Sequence, residues 1–290
     1  MFVYLPGSRT RLLLYAHKIL KTRKIDIPVI SVGNINFGGS GKTPFTIYLY
    51  NLIQKPACVL KRPYRDETLL YERYNIPVSE GKNRLKFALH ARELGYEAVL
   101  LDDGFQYLRI QKALDIVLIN ARSGINGFLR EPPSGLKRSD IVVITSPTEG
   151  FNTSRLKHSL SKLVKDKPIM EAFYKPISFV DINVNEKPLS YFTGEKVILL
   201  SAIADPVSFE YTARATGVRP LFHIKFIDHH EYNLRDIIKI KKRAHLPIIT
   251  TEKDIVKLEK LHPDIDIYAL KVKLELKEQE VIAEKIHALF

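Results

Sequence analysis

The 290-residue sequence contains a single cysteine, Cys58, and has no apolar run near the roughly 18 residues that a membrane-spanning helix requires. One cysteine excludes an internal disulfide framework and is typical of a reducing compartment. The apolar run at residues 12–16 is short and has no small-residue cleavage pattern, so we expect no secretory signal peptide. Hydrophobic residues make up 45% and charged residues 27% of the chain, which indicates a globular protein rather than a fibrous or disordered one.

Acidic residues are few relative to basic residues. The 45 Lys and Arg residues against 32 Asp and Glu residues give a formal net charge of +13. Such an excess predicts attraction to nucleic acid, to a phosphorylated ligand or to an acidic membrane surface. The sequence has no zinc-finger spacing and no RNA-binding aromatic motif, so we expect no nucleic-acid partner. Nothing in it indicates an obligate protein partner either.

The first 24 residues contain six basic residues and no acidic residue. Apolar residues recur there at helical spacing between Arg9 and Thr22, which predicts a basic amphipathic helix. The pattern alone leaves two interpretations open. The helix either lies in the interface of an anionic membrane, or packs on its own domain with a solvated charged face.

Predicted strands and helices alternate after this segment. Short apolar runs such as residues 28–32 and 98–101 are separated by helical stretches, which predicts a mostly parallel α/β sheet covered by helices on both faces. A second block of alternating elements begins near Pro168. We therefore predict a first domain over residues 25–170 and a second, smaller α/β domain over residues 171–290.

Residues 33–44, GNINFGGSGKTP, lie between a predicted strand and a predicted helix, which is the context of a phosphate-binding loop. Glycines allow successive backbone N–H groups to point at phosphate oxygens, and the helix N-terminus adds partial positive charge. Lys42 is expected to reach the β- and γ-phosphates of a nucleotide, and the Thr43 hydroxyl to bind Mg²⁺. Asn36 stands where the usual pattern has glycine. The predicted nucleotide-binding residues are Gly38, Gly39, Ser40, Gly41, Lys42 and Thr43.

Two adjacent carboxylates, Asp102 and Asp103, follow the apolar run at residues 98–101. Ligands of open α/β sheets bind beyond the carboxyl ends of the strands, so a carboxylate there is expected to hold Mg²⁺ opposite Thr43. Neighbouring side chains of an extended strand point to opposite sides. One of the two acids therefore faces the metal, and the pattern leaves open which one.

The two strings GNINFGGSGKTP and LLDDGFQ, at residues 33–44 and 100–106, together resemble the tetraacyldisaccharide 4'-kinase family, the lipid A 4'-kinases of Gram-negative bacteria. The order and spacing of further segments also resemble this family. These segments are Arg65–Leu70, Leu129–Pro132, Ser201–Pro206, Phe226–His230 and Thr250–Asp254. The sequence departs from the family at residues 62–65, where RPYR replaces RGYG, at Tyr107, which replaces histidine, and before Leu129, where the chain is shorter.

The resemblance implies a P-loop NTPase-like kinase domain and an enzyme that uses ATP and Mg²⁺. Its acceptor would be an acylated disaccharide 1-phosphate lipid, phosphorylated at the 4'-hydroxyl to the 1,4'-bisphosphate in lipid A biosynthesis. The resemblance also implies a peripheral or monotopic protein on the cytoplasmic face of the bacterial inner membrane. That location favours a membrane-association role for residues 1–24. It further implies a two-stranded linker between the domains, for which residues 168–180 and 265–276 are the candidates.

The resemblance carries catalytic roles as well. Asp66 is predicted to accept the proton of the sugar hydroxyl, with His229 orienting it, and Arg130 is predicted to stabilise the transition state as a cation. Lys42 would hold the phosphates, Thr43 and Asp103 would hold Mg²⁺, and Glu131 would be a further ligand of metal or water. The predicted metal ligands are thus Thr43, Asp102, Asp103 and Glu131.

Two other classes of function stay open on the sequence. A P-loop ATPase switch that recruits a partner at a membrane has a similar double glycine before its lysine, but gives Asp66 and His229 no role. A kinase for a soluble small molecule would leave the N-terminal helix as ordinary surface. Residues 251–253 are interpreted most simply as the start of a helix capped by Thr251, with adenine binding as an alternative.

Overall fold

The computed structural model of the protein describes residues 10–15, 17–125 and 129–290, and within them twelve strands form one continuous sheet. The strands are β1 (Val29–Asn34), β2 (Ala57–Lys61), β3 (Val78–Glu80), β4 (Ala98–Asp102), β5 (Leu114–Asn120), β6 (Ile141–Ser146), β7 (Ile169–Asp181), β8 (Glu186–Pro188), β9 (Lys196–Ser201), β10 (Arg219–Lys225), β11 (Ile248–Thr251) and β12 (Ile267–Leu276). The helices are α1 (Lys42–Ile53), α2 (Arg65–Arg73), α3 (Arg84–His90), α4 (Ser154–Val164), α5 (Pro206–Arg214), α6 (Leu234–Arg243), α7 (Glu252–Leu258) and α8 (Gln279–His287), with short 3-10 helices at Pro133–Arg138, Leu189–Phe192 and Glu259–Leu261.

The strand order is β10-β9-β11-β12-β7-β6-β5-β1-β4-β2-β3, and β8 pairs with β7 beside this path. Neighbouring strands are parallel, except that β7 is antiparallel to both β12 and β8. Every residue of β1, β4 and β5 is buried, as expected of parallel strands covered on both faces. The predicted fold class, a mostly parallel α/β sheet flanked by helices, is confirmed.

The antiparallel strands β7 and β12 join two blocks of parallel strands, an N-terminal block (β1 to β6) and a C-terminal block (β9 to β11). Strand β6 pairs with the first part of β7, up to Phe173, and β11 pairs with the first part of β12, up to Leu270. Because each block lies at the start of its own long strand, the carboxyl ends of both blocks point toward the middle of the β7–β12 pair. The two sets of strand ends therefore face each other across a cleft, where ligands of such sheets bind.

The predicted linker segments, residues 168–180 and 265–276, coincide with β7 and β12. The domain bounds at residues 25–170 and 171–290 stay a prediction, because the sheet runs without interruption through both blocks.

Helix α1 is anchored to the sheet by its apolar face. Phe45 and Leu49 are fully buried in the largest apolar cluster, together with Ile282 and Ile286 of α8. Burying a side chain of this kind contributes about 1.5–3 kcal/mol. The packing fixes where α1 begins, and therefore where the phosphate-loop glycines lie.

The N-terminal helix ends before the end of the predicted span, residues 9–22. Residues 10–15 are helical, and Lys18 then adopts a left-handed conformation with φ of 58°. The N–H of Ile19 donates to the carbonyl of Leu14 at 2.9 Å, which closes the helix in a Schellman motif. Glycine usually occupies this left-handed position, so the lysine gave no signal that the helix ends there.

Two of the sequence-based predictions fall partly outside the described residues: residues 1–9 and 16 of the N-terminal segment, and residues 126–128 before Leu129. In the part of the chain that the structure describes, no helix has the length and apolar character needed to cross a membrane. Leu13 and Ile19 expose 58% and 66% of their surface. The described N-terminal residues thus present apolar side chains to the outside.

Candidate active site

A cavity of about 490 Å³ occupies the cleft between the two blocks. The N-terminal block contributes the glycine loop after β1 and the end of β4, and the C-terminal block contributes residues 203–205, 228–229 and 251–253. Tyr174 and Val272, from the middle of β7 and β12, line the same space. The cavity therefore lies where the facing strand ends predict a ligand site.

The loop between β1 and α1 contains three glycines in the left-handed conformation, of which two also lie against neighbouring side chains closely. Gly38 and Gly41 have φ of 71° and 76°, a conformation that other residues rarely adopt. A Cβ on Gly41 would collide with the hydroxyl of Tyr174, and a Cβ on Gly38 would lie 2.5 Å from the Cβ of Ala204. The glycines thus allow the loop both to turn and to approach the neighbouring chain closely.

Helix α1 begins without a side-chain cap. Gly41 is its N-cap residue, and its first turn contains no acidic side chain. The first N–H groups of a helix have no partner within the helix, so here they are available to an anion in the cavity. Asn36 is buried and donates to the carbonyl of Gly124 at 3.0 Å, which accounts for a residue other than glycine at that position.

Asp102 lies beside Thr43. The Thr43 hydroxyl and the Tyr71 hydroxyl both donate to Oδ2 of Asp102, at 3.1 and 2.8 Å. The other carboxylate oxygen, Oδ1, is buried and has no hydrogen-bond partner in the described part of the chain. A buried oxygen without a partner is costly unless a ligand satisfies it, and oxygen ligands of this kind suit Mg²⁺. Thr43 and Asp102 therefore fit a Mg²⁺ site.

The described part of the chain offers few metal ligands at this place. Among the described residues, no group of three or more His, Cys, Asp or Glu side chains is placed to hold a metal ion. Magnesium is commonly bound by one or two carboxylates together with waters and the phosphates of a substrate. A protein contribution limited to Thr43 and Asp102 is consistent with that mode.

Asp103 points away from Thr43, with a left-handed φ of 55°. Both of its oxygens accept from Nη1 of Arg130 at 2.7 Å, and Lys42 Nζ lies 3.5 Å from Oδ1. Burial alone would raise the pKa of Asp103, but the charges of Lys42 and Arg130 outweigh it and hold that pKa well below its usual range. The two adjacent acids therefore contact different groups, and which of them faces a metal stays a prediction.

Glu131 is buried in a network behind the glycine loop. Its carboxylate accepts from Arg138 and from Gln106, each at 2.8 Å, and Gln106 also donates to the carbonyl of Asn34 at the end of β1. Glu131 therefore supports the start of the loop through Gln106. Its role as a ligand of metal or water stays a prediction. The charge of Glu131 is already paired with that of Arg138.

The structure brings Asp66 and His229 together, although they are 163 residues apart in sequence. His229 Nδ1 lies 2.9 Å from Oδ2 of Asp66, Lys253 Nζ lies 3.1 Å from the same oxygen, and the N–H of Glu67 donates to Oδ1 at 3.0 Å. Burial of Asp66 alone would raise its pKa. The hydrogen bond from His229 and the charge of Lys253 outweigh burial, so the pKa of Asp66 lies well below its usual range.

His229 is held in place by its surroundings, and His230 has different ones. The ring of Tyr64 stacks on His229 with 4.5 Å between centroids and 19° between planes. His230 instead stacks on Phe226 and pairs with Asp236 at 2.9 Å. Only the first histidine of the pair lines the cavity, among the described residues.

Lys253 is the main residue of the site whose contact with Asp66 the sequence interpretation missed. Thr251 caps α7 by accepting from the N–H of Asp254, so the predicted capped helix start is confirmed. The cap sets the direction of the first turn, and Lys253 reaches both Asp66 and, at 3.7 Å, Asp228. A capping motif can be found from sequence, but the partner of Lys253 lies on a distant helix and gives no local signal.

The charge state of Glu67 leads to a prediction about stability. Burial, followed by the charge of Asp102, raises the pKa of Glu67 from its ordinary value of 4.5 to about 7. A carboxyl group whose pKa is raised by folding stabilises the fold below its unfolded pKa, and this stabilisation is lost as the pH rises through the folded pKa. Relative to Glu67→Gln, the free energy of unfolding of the wild type should therefore fall as the pH rises from about 4.5, the unfolded pKa, to about 7, the folded pKa. Denaturant titrations of both proteins at each pH measure these free energies of unfolding. If the difference between the two proteins did not change with pH, the raised pKa of Glu67 would be contradicted.

A phosphate-binding loop alone does not separate kinases from nucleotide hydrolases. In this cleft, the C-terminal block places His229 and Lys253 against Asp66 in the cavity that the loop lines. Such an acid–imidazole pair can take the proton of an acceptor hydroxyl. Fold and site together define a P-loop kinase.

The chain belongs to the LpxK family, tetraacyldisaccharide-1-P 4'-kinase, which it matches over residues 1–68 and 66–290. Tetraacyldisaccharide 4'-kinases from Halothermothrix orenii and Desulfatibacillum aliphaticivorans are 29% and 30% identical to it, and each alignment covers 96% of this chain and 88% of the relative. A crystal structure of "apo" form LpxK from Aquifex aeolicus in complex with ATP has a TM-score of 0.75 and 26% identity, and covers 100% of this chain and 96% of that chain. The family resemblance found in the sequence motifs is confirmed.

Proposed function

We propose that the protein transfers the γ-phosphate of ATP to the 4'-hydroxyl of tetraacyldisaccharide 1-phosphate, in lipid A biosynthesis. The observation that carries the proposal is the pairing of Asp66 with His229 in the cavity lined by the phosphate loop. The loop would bind the phosphoryl donor, and the Asp66–His229 pair would take the proton of a hydroxyl acceptor. Family membership supplies the identity of that acceptor.

The donor side of the cleft would bind ATP with Mg²⁺. The loop N–H groups, the uncapped start of α1 and Lys42 would hold the phosphates. Thr43 and Asp102 would hold Mg²⁺, which when bound neutralises charge on the phosphate oxygens. This proposal replaces Asp103 by Asp102 as the acid beside the metal, because Thr43 donates to Asp102. Asp103 instead keeps two cations, Lys42 and Arg130, side by side at the loop.

On the acceptor side, the geometry favours His229 rather than Asp66 as the base. The pKa of Asp66 is depressed, and His229, Lys253 and a backbone N–H already engage its oxygens, so Asp66 is a poor proton acceptor. With Nδ1 bonded to Asp66, His229 would offer Nε2, which lies 3.5 Å from Oδ2 of Asp228, to the acceptor hydroxyl. Asp66 then orients the ring and stabilises the imidazolium, as the buried aspartate does in a Ser-His-Asp triad.

The exchange of roles between the adjacent acids can be tested by metal titration. We expect Asp102→Asn to raise the Mg²⁺ concentration for half-maximal activity by about tenfold or more, because even outer partners of a metal site change affinity by ~10–100-fold. Asp103→Asn should lower the rate while leaving the Mg²⁺ requirement near that of the wild type. A raised Mg²⁺ requirement in the Asp103 variant alone would indicate that Asp103, and not Asp102, binds the metal.

We further propose that the protein acts at the cytoplasmic face of the bacterial inner membrane, as a peripheral or monotopic protein. Its acceptor is a lipid, and the first 24 residues carry six basic residues and no acidic one. Each basic group near an anionic surface contributes roughly 1 kcal/mol. The exposed side chains of Leu13 and Ile19 add apolar area that can enter the acyl boundary.

Membrane binding should depend on those two apolar side chains. Transfer of one such side chain out of water is worth about 1.5–3 kcal/mol, so Leu13→Ser with Ile19→Ser should weaken binding to anionic vesicles by about tenfold or more. Both residues are exposed, so folding should be unaffected. Flotation with phosphatidylglycerol vesicles measures the effect, with Leu94→Ser, 59% exposed elsewhere, as the matched control. Equal flotation of all three proteins would place the membrane contact elsewhere.

ATP consumption with and without the lipid separates a kinase from a P-loop ATPase switch. For the kinase, consumption should require the disaccharide 1-phosphate and match the phosphate found in lipid. Hydrolysis of ATP at the same rate without lipid, and without a phosphorylated lipid product, would favour the switch instead.

A further inference from the structure

Helix α6, between β10 and β11, has one face packed on the sheet and one face open. Ile237 and Ile240 are buried in an apolar cluster with residues of β9 and β11. Leu234 and Ile238 instead expose 66% and 57% of their surface. Residues four positions apart lie on the same side of a helix. These two side chains therefore form an apolar strip that faces outward.

Basic side chains flank this apolar strip. Arg235, Lys239 and Lys242 are exposed, and the helical period places all three on the outward half of α6. Lys241 pairs with Asp264 at 2.7 Å, whereas Arg235 and Lys242 form no ion pair within the part of the chain that the structure describes. The outward face of α6 is thus apolar along one strip and positively charged beside it.

The combination of apolar and basic side chains indicates what would cover this face. A helix that lies on an anionic bilayer buries its apolar strip at the acyl boundary and places Lys and Arg against the headgroups. A second copy of the same face would bring like charges together, which costs free energy. Nucleic acid would attract the cations but leave the apolar strip in water. An anionic bilayer is the partner that matches both parts of the face.

The chain just before α6 connects this face to the candidate active site. Ile227 exposes 77% of its surface, and the next two residues, Asp228 and His229, line the active-site cavity. The carbonyl of Ile227 accepts from the N–H of His230 at 3.1 Å, so the position of Ile227 is tied to the turn that carries His229. A bilayer that contacts Ile227 would therefore lie beside the residues proposed to receive the acceptor hydroxyl.

We propose that the outward face of α6, together with Ile227, is a second membrane-contact surface, which binds an anionic bilayer. The inference rests on the proposed membrane location, and it adds a contact near the C-terminal block to the one proposed for the N-terminal segment. With a contact on each side, the cleft is held against the bilayer. A lipid acceptor can then reach His229 without leaving the membrane.

A tryptophan reporter tests the contact directly, because the sequence contains no tryptophan. Ile238→Trp places the reporter on the outward face of α6, and Leu94→Trp, at a residue that is 59% exposed between α3 and β4, is the matched control. With phosphatidylglycerol vesicles, we expect the emission of Ile238→Trp to shift to shorter wavelength and to be quenched by lipids brominated on their acyl chains. Leu94→Trp should show neither change. The absence of a shift in vesicle-bound Ile238→Trp, or an equal shift in both proteins, would overturn the proposal.

Substitution measures how much the surface contributes to binding. Leu234→Gln with Ile238→Gln keeps the basic charges and introduces residues that favour helix, and Leu94→Gln is the control. We expect the double variant to weaken flotation with phosphatidylglycerol vesicles by about tenfold or more, because two apolar side chains no longer leave water on binding. Phosphorylation of the lipid acceptor in neutral detergent should be unchanged, whereas phosphorylation of the acceptor embedded in vesicles should slow down.

The outcomes separate this proposal from those on which it rests. Flotation of the double variant equal to that of the wild type would overturn the contact through α6 and leave the N-terminal contact intact. A wild type that binds no vesicles would overturn both contacts. Failure of the wild type to phosphorylate the lipid in neutral detergent would instead contradict the proposed function alone. A double variant that floats normally but sediments with a different mass would assign the face to contacts between copies of the chain, and would overturn the proposal.

Discussion

Lys42→Ala is expected to lower kcat by at least about 10²-fold in a protein that still folds. Lys42 begins α1 beside the glycine loop, and its ammonium group is held 3.5 Å from Asp103. A preorganised charge at this place stabilises the charge that develops on the transferring phosphoryl group. Removing one such donor typically costs a factor of about 10²–10³ in rate.

The control for this change is Lys55→Ala. Lys55 follows the other end of α1 and forms an exposed pair with Glu97, so its loss should leave the rate unchanged. Initial rates of lipid phosphorylation give kcat for both variants, and thermal unfolding checks that both are folded. Near-normal turnover by a folded Lys42→Ala protein would contradict the assignment of residues 33–44 as a phosphate-binding loop.

His229→Ala is expected to lower kcat by about 10²–10⁴-fold, the usual contribution of a positioned general base. Asp66→Asn should also lower kcat, because the ring loses the partner that orients it, while KM for ATP stays near that of the wild type in both variants. Added imidazole should partly restore the His229 variant, where it can occupy the vacated space. It should not restore the Asp66 variant, where the ring is still present.

His230→Ala is the matched control for the His229 variant. His230 is the next residue, but it pairs with Asp236 outside the cavity, so the rate should change little. Rescue of Asp66→Asn by imidazole, or full activity of His229→Ala, would contradict the division of roles and return the base to Asp66.

The parallel sheet could be predicted from sequence because its strands are continuous apolar runs between turn residues. Strands β1 and β4 are examples, and each lies where the local pattern places it. Helix α2 was not foreseen, because its sequence is mostly polar and only Asp66, Leu70 and Tyr71 are buried. Its burial depends on packing against α7, which is distant in the chain.

The division of roles between Asp102 and Asp103 could be predicted only in part. The pleat of a strand predicts that adjacent side chains diverge. In the structure, however, β4 ends at Asp102 and Asp103 follows with a left-handed φ of 55°, so which acid faces Thr43 depends on this turn and on how α1 packs beside β4. The contacts of Lys253 with Asp66 likewise arise where the carboxyl ends of two opposed blocks meet. Local periodicity does not show that these strand ends lie close together. A family resemblance can identify the residues, but it does not give the distances between them.

Transfer of labelled phosphate from [γ-³²P]ATP to tetraacyldisaccharide 1-phosphate, with Mg²⁺ in neutral detergent, tests the central claim most directly. The account predicts a lipid product with two phosphates, with the label on the 4'-oxygen as located by mass spectrometry and NMR. It also predicts that His229→Ala and Lys42→Ala give little of this product while His230→Ala and Lys55→Ala give as much as the wild type. Release of labelled inorganic phosphate with no label in the lipid would contradict it.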